Sequence, residues 1–120
     1  MTTAMWRAVA GFSGAMAVAM GAVGAHAVSD AHAASMIEKA ALYHLIHSVL
    51  LLWLASEAGR LMVISRLCFL SGIVFFSGGL YLQYLSNILF LKPFIPFGGL
   101  CYIAGWLVIS GAALFKKRSH

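Results

Sequence analysis

Apolar residues dominate this chain in four long stretches, Trp6 to Val28, Ile37 to Ser56, Leu67 to Leu85 and Ile95 to Phe115, with polar positions gathered between them. In helical form, about 20 apolar residues cross the ~30 Å hydrocarbon core of a bilayer. The pattern predicts an all-α fold, an integral membrane four-helix bundle forming a single domain over residues 1–120. Ser29-Asp30 closes the first helix, and Asp30 or Ser35 is placed to cap the second by accepting an orphan backbone N–H. Glu57-Ala58-Gly59-Arg60 reads as a short turn, which makes the second and third helices antiparallel neighbours. Asn87 to Pro96 forms the last connection, with Pro93 and Pro96 stopping one helix and opening the next.

Helical spacing then sorts each stretch into faces. Helices in lipid associate by close packing and interhelical hydrogen bonds, so small and polar residues mark the contact sides. The first helix carries Ala10, Gly14, Ala17, Gly21 and Ala25 in series. The second groups Ala40, Ala41, His44, His47, Ser48 and Ala55 on one side, with Leu50, Leu52 and Trp53 elsewhere. The third aligns Ser77, Tyr81 and Tyr84, and the fourth Gly98, Tyr102, Gly105 and Ala112. Gly98-Gly99 after Pro96 suits a tight helix entry. Four such faces turned inward predict a compact bundle, and the same stripes would also serve contacts between copies.

Composition supports the membrane class. The chain is 62% hydrophobic and 9% charged, against about 45–50% and about 25% for soluble domains. The net charge of +5 is distributed unevenly. Arg7, Arg60, Arg66 and Lys116-Lys117-Arg118 fall on one side of the predicted topology, and Lys39 and Lys92 on the other. The positive-inside rule places both termini in the cytoplasm. Trp6, Trp53, Tyr84 and Tyr102 fall near predicted helix ends, where an aromatic belt belongs. No basic face with interleaved aromatics is present, so nucleic acid is excluded as a partner. Cys68 and Cys101 lie in separate apolar stretches with no metal or redox spacing and read as small packing residues.

With that topology, the ionisable and polar groups collect in the outer half: His26, Asp30, His32, Glu38, Lys39, His44, His47, Tyr81, Gln83, Asn87 and Lys92. Ionisable residues inside a membrane are functional hypotheses by default. His44 and His47 share a helix face, and a third imidazole from His26 would complete a metal or haem shell. The competing reading has these histidines hydrogen-bonding across helices and stiffening the outer end of the bundle. The ligand set is thin, so no metal and no cofactor is expected. Ser77 has no base and acid beside it in the sequence pattern, and no P-loop, dinucleotide fingerprint or nucleophile elbow occurs, so an enzyme is not expected. Ala-His-Ala at Ala25–Ala27 and again at Ala31–Ala33 resembles a signal-peptidase site. The run from Trp6 to Val28 exceeds the usual apolar core of a signal, about 7–15 residues, so this helix is expected to be retained, with His26 at its outer end.

Four ordered motifs, GAVGAHAV, ALYHLIHSVLLL, FFSGGLYLQYLS and IPFGGLCYIAGWLVI, together resemble the domain-of-unknown-function 423 family, also called uncharacterised protein family 0382 and related to transmembrane protein 256. The resemblance implies a multi-pass protein of the cell inner membrane, or of the mitochondrial inner membrane in eukaryotic relatives. It implies no reaction. Mapped position by position, it marks Gly21, Gly24, Ala25, His26, Tyr43, His47, Ser77, Gly78, Leu80, Tyr81, Pro96, Gly98, Gly99, Gly105 and Trp106. Where this chain has His44, relatives often carry Gln, which weighs against a bis-imidazole site. Tyr43 thereby joins His26, His44, His47, Ser77 and Tyr81 as candidate ligand-binding positions. Gly24 and Gly78 join Gly14, Gly21, Gly98, Gly99 and Gly105 as packing glycines. The expected role is structural, assembly-related or accessory to a larger membrane protein complex or homo-oligomer within the lipid bilayer. The alternatives are a haem-, quinone- or metal-binding electron-transfer protein using the outer histidines, and an oligomeric transporter or channel.

Overall fold

In the computed structural model, which describes residues 1–118, the four apolar stretches are helices joined at the polar breaks. They are α1 (Thr3–His26), α2 (Ala31–Leu54), a third span of α3 (Arg60–Gly72), a π-helical turn (Ile73–Ser77) and α4 (Gly78–Ser86), then a 3₁₀ turn (Lys92–Phe94) leading into α5 (Ile95–Arg118). Each of the four spans is long and apolar enough to cross a membrane. The side chains of Lys117 and Arg118 lie outside the described residues, so only Lys116 of the C-terminal basic run is placed.

The helix ends follow local chemistry. Thr2 Oγ1 accepts the Met5 N–H at 3.1 Å, and Asp30 Oδ2 accepts the Ala33 N–H at 2.8 Å. Asp30 rather than Ser35 is therefore the cap, and α2 begins at Ala31, ahead of the expected Ile37. Asn87 ends α4 in the left-handed region with φ 51°, and the Ile88 N–H closes back onto the Leu82 carbonyl at 2.9 Å.

The third span also begins early, at Arg60 instead of Leu67, because two polar residues assigned to its approach have interior work. Ser65 Oγ donates to the Gly105 carbonyl of α5 at 3.0 Å. Arg66 is buried: its Nη1 donates to the Leu54 and Glu57 carbonyls at 2.5 and 3.1 Å, and its guanidinium lies 5.3 Å from the centroid of the Trp6 ring. The C-terminus of α2 exposes carbonyls that no turn of its own can satisfy, and a cation there answers both the orphan acceptors and the helix dipole.

The four spans pack as the expected bundle around one shared core. α2 is central, with α1 along one side and α4 and the π turn on the other, while α3 meshes with α5. Ala40, Ala41, His44, His47, Ser48 and Ala55 of α2 are all buried. Trp6, Ala10, Leu51, Leu54, Phe69, Ile73 and Tyr102 form the core. Trp6 and Tyr102 are thus interior residues, which corrects their assignment to the aromatic belt; Trp53 is half exposed.

Glycines set the closest approaches. A Cβ on Gly98 would fall onto the backbone of Phe75 and Phe76 in the π turn, and a Cβ on Gly105 would press into the Phe69 ring. At Gly24 it would meet Glu38 and Ile37 at 3.1 Å, whereas at Gly14, Gly21 and Gly99 it would find ordinary contact. Gly78 faces only the Ile73 carbonyl of its own turn. Gly72, under the Tyr102 ring, and Gly79, against Ile95, belong to the tight set, although their spacing did not mark them.

Gly98→Ala forces α5 away from a backbone that cannot yield, and a loss of about 1–3 kcal/mol is expected. Gly111→Ala meets nothing within 4 Å and should be neutral or slightly stabilising. Unfolding of both variants in mixed micelles, followed by far-ultraviolet circular dichroism, tests the contrast.

Candidate functional site

The polar side chains of the interior converge on one stretch of α2. His44 Nε2 lies 2.9 Å from Ser13 Oγ of α1, Ser13 Oγ lies 2.7 Å from Ser48 Oγ, and Ser48 donates to the His44 carbonyl at 2.8 Å. On its other edge, His44 Nδ1 lies 2.9 Å from the Tyr81 hydroxyl of α4. Ser77 in the π turn donates to the Ala40 carbonyl at 2.8 Å and lies 2.9 Å from the Tyr102 hydroxyl of α5. His47 Nδ1 reaches the Tyr43 carbonyl at 2.6 Å, and the Trp106 indole N–H donates to His47 Nε2 at 3.1 Å.

The inventory of donors orients these bonds. A carbonyl only accepts and an indole N–H only donates. His47 is therefore the neutral tautomer with its proton on Nδ1, and its remaining lone pair is committed to Trp106. Ser77 spends its one proton on Ala40, so Tyr102 donates to Ser77. Ser48 spends its proton on His44 O, Ser13 then donates to Ser48, His44 Nε2–H donates to Ser13, and Tyr81 O–H donates to His44 Nδ1. Each buried hydroxyl and imidazole is paired, as a low-dielectric interior requires. The Tyr102 ring also stacks on His47, with centroids 3.9 Å apart and planes 16° from parallel.

Of the positions expected to form a ligand-binding cluster, His44, His47, Ser77 and Tyr81 lie in this network. Tyr43 contributes its carbonyl, while its half-exposed ring lies against Phe76. His26 does not join. It is exposed at the end of α1, thirteen residues (26 − 13) from Ser13 and so about 20 Å along the helix axis. The three histidines are not one ligand set, and among the described residues no group of three or more His, Cys, Asp or Glu side chains is arranged to hold a metal. The network also sits near the midpoints of α1 and α2 instead of at the outer end, because α2 starts at Ala31 and carries His44 deeper. Sequence reasoning missed Ser13, although it falls in helical register with the buried Ala10, Ala17 and Gly24.

Beside the network, α1 and the third span diverge and leave a cleft of about 710 Å³. Its exposed lining is almost wholly apolar, with Phe12, Met16 and Ile73 among the residues that form it, and Ser13, His44 and Tyr81 border it with their polar atoms turned into the network.

Comparisons with known proteins agree with this membrane architecture. The family described as "Protein of unknown function (DUF423)" matches residues 20–99. The UPF0382 inner membrane protein YgdD of Escherichia coli K12 is 33% identical over 126 aligned positions, covering 98% of this chain and 96% of that protein. The UPF0382 membrane protein SAB0533 of Staphylococcus aureus is 38% identical, covering 78% of this chain and 82% of its own length. A UPF0382 membrane protein of Staphylococcus epidermidis is 39% identical, with coverage of 82% and 86%. No solved structure matches the chain.

The derived bond directions make a double-mutant prediction. Tyr102→Phe leaves Ser77 still bonded to Ala40 and should cost only about 0.5–1.5 kcal/mol. Ser77→Ala strands a buried Tyr102 hydroxyl and should cost about 1–3 kcal/mol. The double variant should then be more stable than Ser77→Ala alone, as measured by a double-mutant cycle on the unfolding midpoints.

Proposed function

We propose, for a chain that belongs to the DUF423 family of proteins of unknown function, that it is a non-catalytic accessory protein of the cell inner membrane that assembles with another membrane helix through the outward face of α1. The carrying observation is a stripe of small residues, Ala4, Ala8, Gly11, Ala15, Ala19 and Ala22, exposed on the side of α1 turned away from α2. Surfaces that meet only lipid can be large and irregular, as on α5, where Phe97, Leu100, Ile103 and Leu107 project outward. A continuous small face lets a second backbone approach closely, and in lipid that contact supplies most of the association energy. α1 thus has two small faces, one consumed by α2 and one open.

The reading as an electron carrier with imidazole-bound metal has less support. His47 has no free lone pair, His44 is bonded at both nitrogens, and His26 is remote from both. Cytoplasmic termini accompany the proposal. Arg60 and Lys116 border one polar cleft, and Arg7 near the start of α1 belongs to the same end.

Single cysteines at Gly11 or Ala15, placed in a Cys68→Ala, Cys101→Ala background, should crosslink in native membranes to a protein of defined mass. Gly11→Leu combined with Ala15→Leu should abolish the adduct. The adduct mass distinguishes a different protein from a second copy, and recovery of lipid adducts alone counts against the reading. A green fluorescent protein fused to the C-terminus should fluoresce, while alkaline phosphatase fused there should be inactive.

A further inference from the structure

We infer that a second cleft, between the α2–α3 turn and the C-terminal turns of α5, binds a phospholipid with an anionic headgroup. It lies at the end of the molecule that carries Arg7 and Lys116. The site is separate from the α1 docking face and requires no particular orientation of the termini.

The volume, about 650 Å³, lies within the range of about 300–1,000 Å³ usual for small-molecule sites. Unlike the apolar cleft beside α1, this one changes character with depth. Its outermost lining includes Arg60 at the start of α3 and Lys116 near the end of α5, both exposed. Ile109 lines it seven residues (116 − 109) before Lys116, about 10 Å deeper along the axis of α5. Trp53 of α2, Met62 of α3 and Ala113 of α5 complete the apolar wall. A soluble anion would use the charged rim alone. A phospholipid uses both parts, with its phosphate at the rim, outside the ~30 Å hydrocarbon core, and an acyl chain along the wall.

The charges at the rim select the headgroup. Among the described residues of the lining, Arg60 and Lys116 outnumber the acidic Glu57. Behind the rim, buried Arg66 donates to the Glu57 carbonyl at 3.1 Å and adds a fixed positive charge. The cap of α3 is Gly59, which has no side chain to accept the first-turn N–H groups, so the positive end of that helix also lies at the cleft. A phosphatidylglycerol head carries a net negative charge that complements this field, and its glycerol hydroxyls are donors for the Glu57 carboxylate. A phosphatidylethanolamine head brings an ammonium to a rim where positive charge is already in excess, and it is disfavoured.

The test is native mass spectrometry of the full chain from micelles that contain equimolar phosphatidylglycerol and phosphatidylethanolamine. The native chain should retain phosphatidylglycerol in preference. Arg60→Gln should weaken that retention about fivefold, and Arg60→Gln combined with Lys116→Gln about twenty-five-fold. Arg7→Gln removes an exposed cation at the same end but outside the cleft, and should leave retention unchanged. Ala113→Phe, which puts a ring into the apolar wall, should lower it, and excess inorganic phosphate should not displace the lipid. All four substituted positions are exposed, so the fold persists, as far-ultraviolet circular dichroism checks. Equal retention of the two lipids by the native chain, equal losses from Arg7→Gln and Arg60→Gln, full retention by Ala113→Phe, or displacement by inorganic phosphate would each overturn the proposal.

Discussion

A polar group in a hydrocarbon layer has no water to fall back on, and in this protein that constraint is met almost wholly by α2. Ser77, His47 and Ser48 deliver protons to the carbonyls of Ala40, Tyr43 and His44, which lie within little more than one turn of the same helix. Each carbonyl oxygen has a second lone pair beyond its helical bond, so it can take an extra donor without opening the helix. The neighbouring helices are positioned by what these side chains then hold: Ser13 of α1, Tyr81 of α4, and Tyr102 and Trp106 of α5. Loss of an acceptor in this setting strands the buried donor aimed at it, as Ser77→Ala would strand Tyr102, which is why the network specifies register as well as adding stability.

The same logic acts at the end of α2. Arg66 is costly to bury, but the Leu54 and Glu57 carbonyls and the face of Trp6 surround its charge with negative potential. Through this one side chain the middle of α3, the end of α2 and the start of α1 are tied together. Tight glycine contacts do the corresponding work between α3, the π turn and α5, where Gly72, Gly98 and Gly105 admit an aromatic ring or a backbone at a distance no side chain would allow.

Much of this was legible in the residues. The four spans follow from length and apolarity alone, and the α2 face follows from helical period, since both rules depend on local sequence. The depth of the network was misread because an N-cap decides where a helix begins, and Asp30 and Ser35 were equally suited to that role until their surroundings were known. Arg66 was unreadable for a related reason. An arginine beside a turn satisfies the positive-inside rule whether it faces water or caps a neighbouring helix, and only the tertiary placement of Leu54 distinguishes the two. Ser13 carried a signal, its register with Ala10 and Ala17, but a lone serine in an Ala/Gly-rich helix is indistinguishable by type from a residue bonded to its own backbone.

That serine decides how α1 is turned against α2. Among the described residues, the side-chain hydrogen bonds from α1 to the rest of the protein run through Ser13, to His44 and to Ser48. In the arrangement derived above, Ser13 donates to Ser48 and accepts from His44, so one side chain pins α1 to two positions a turn apart on α2. The small residues on the outward face of α1 are exposed because the same serine turns the opposite face onto α2.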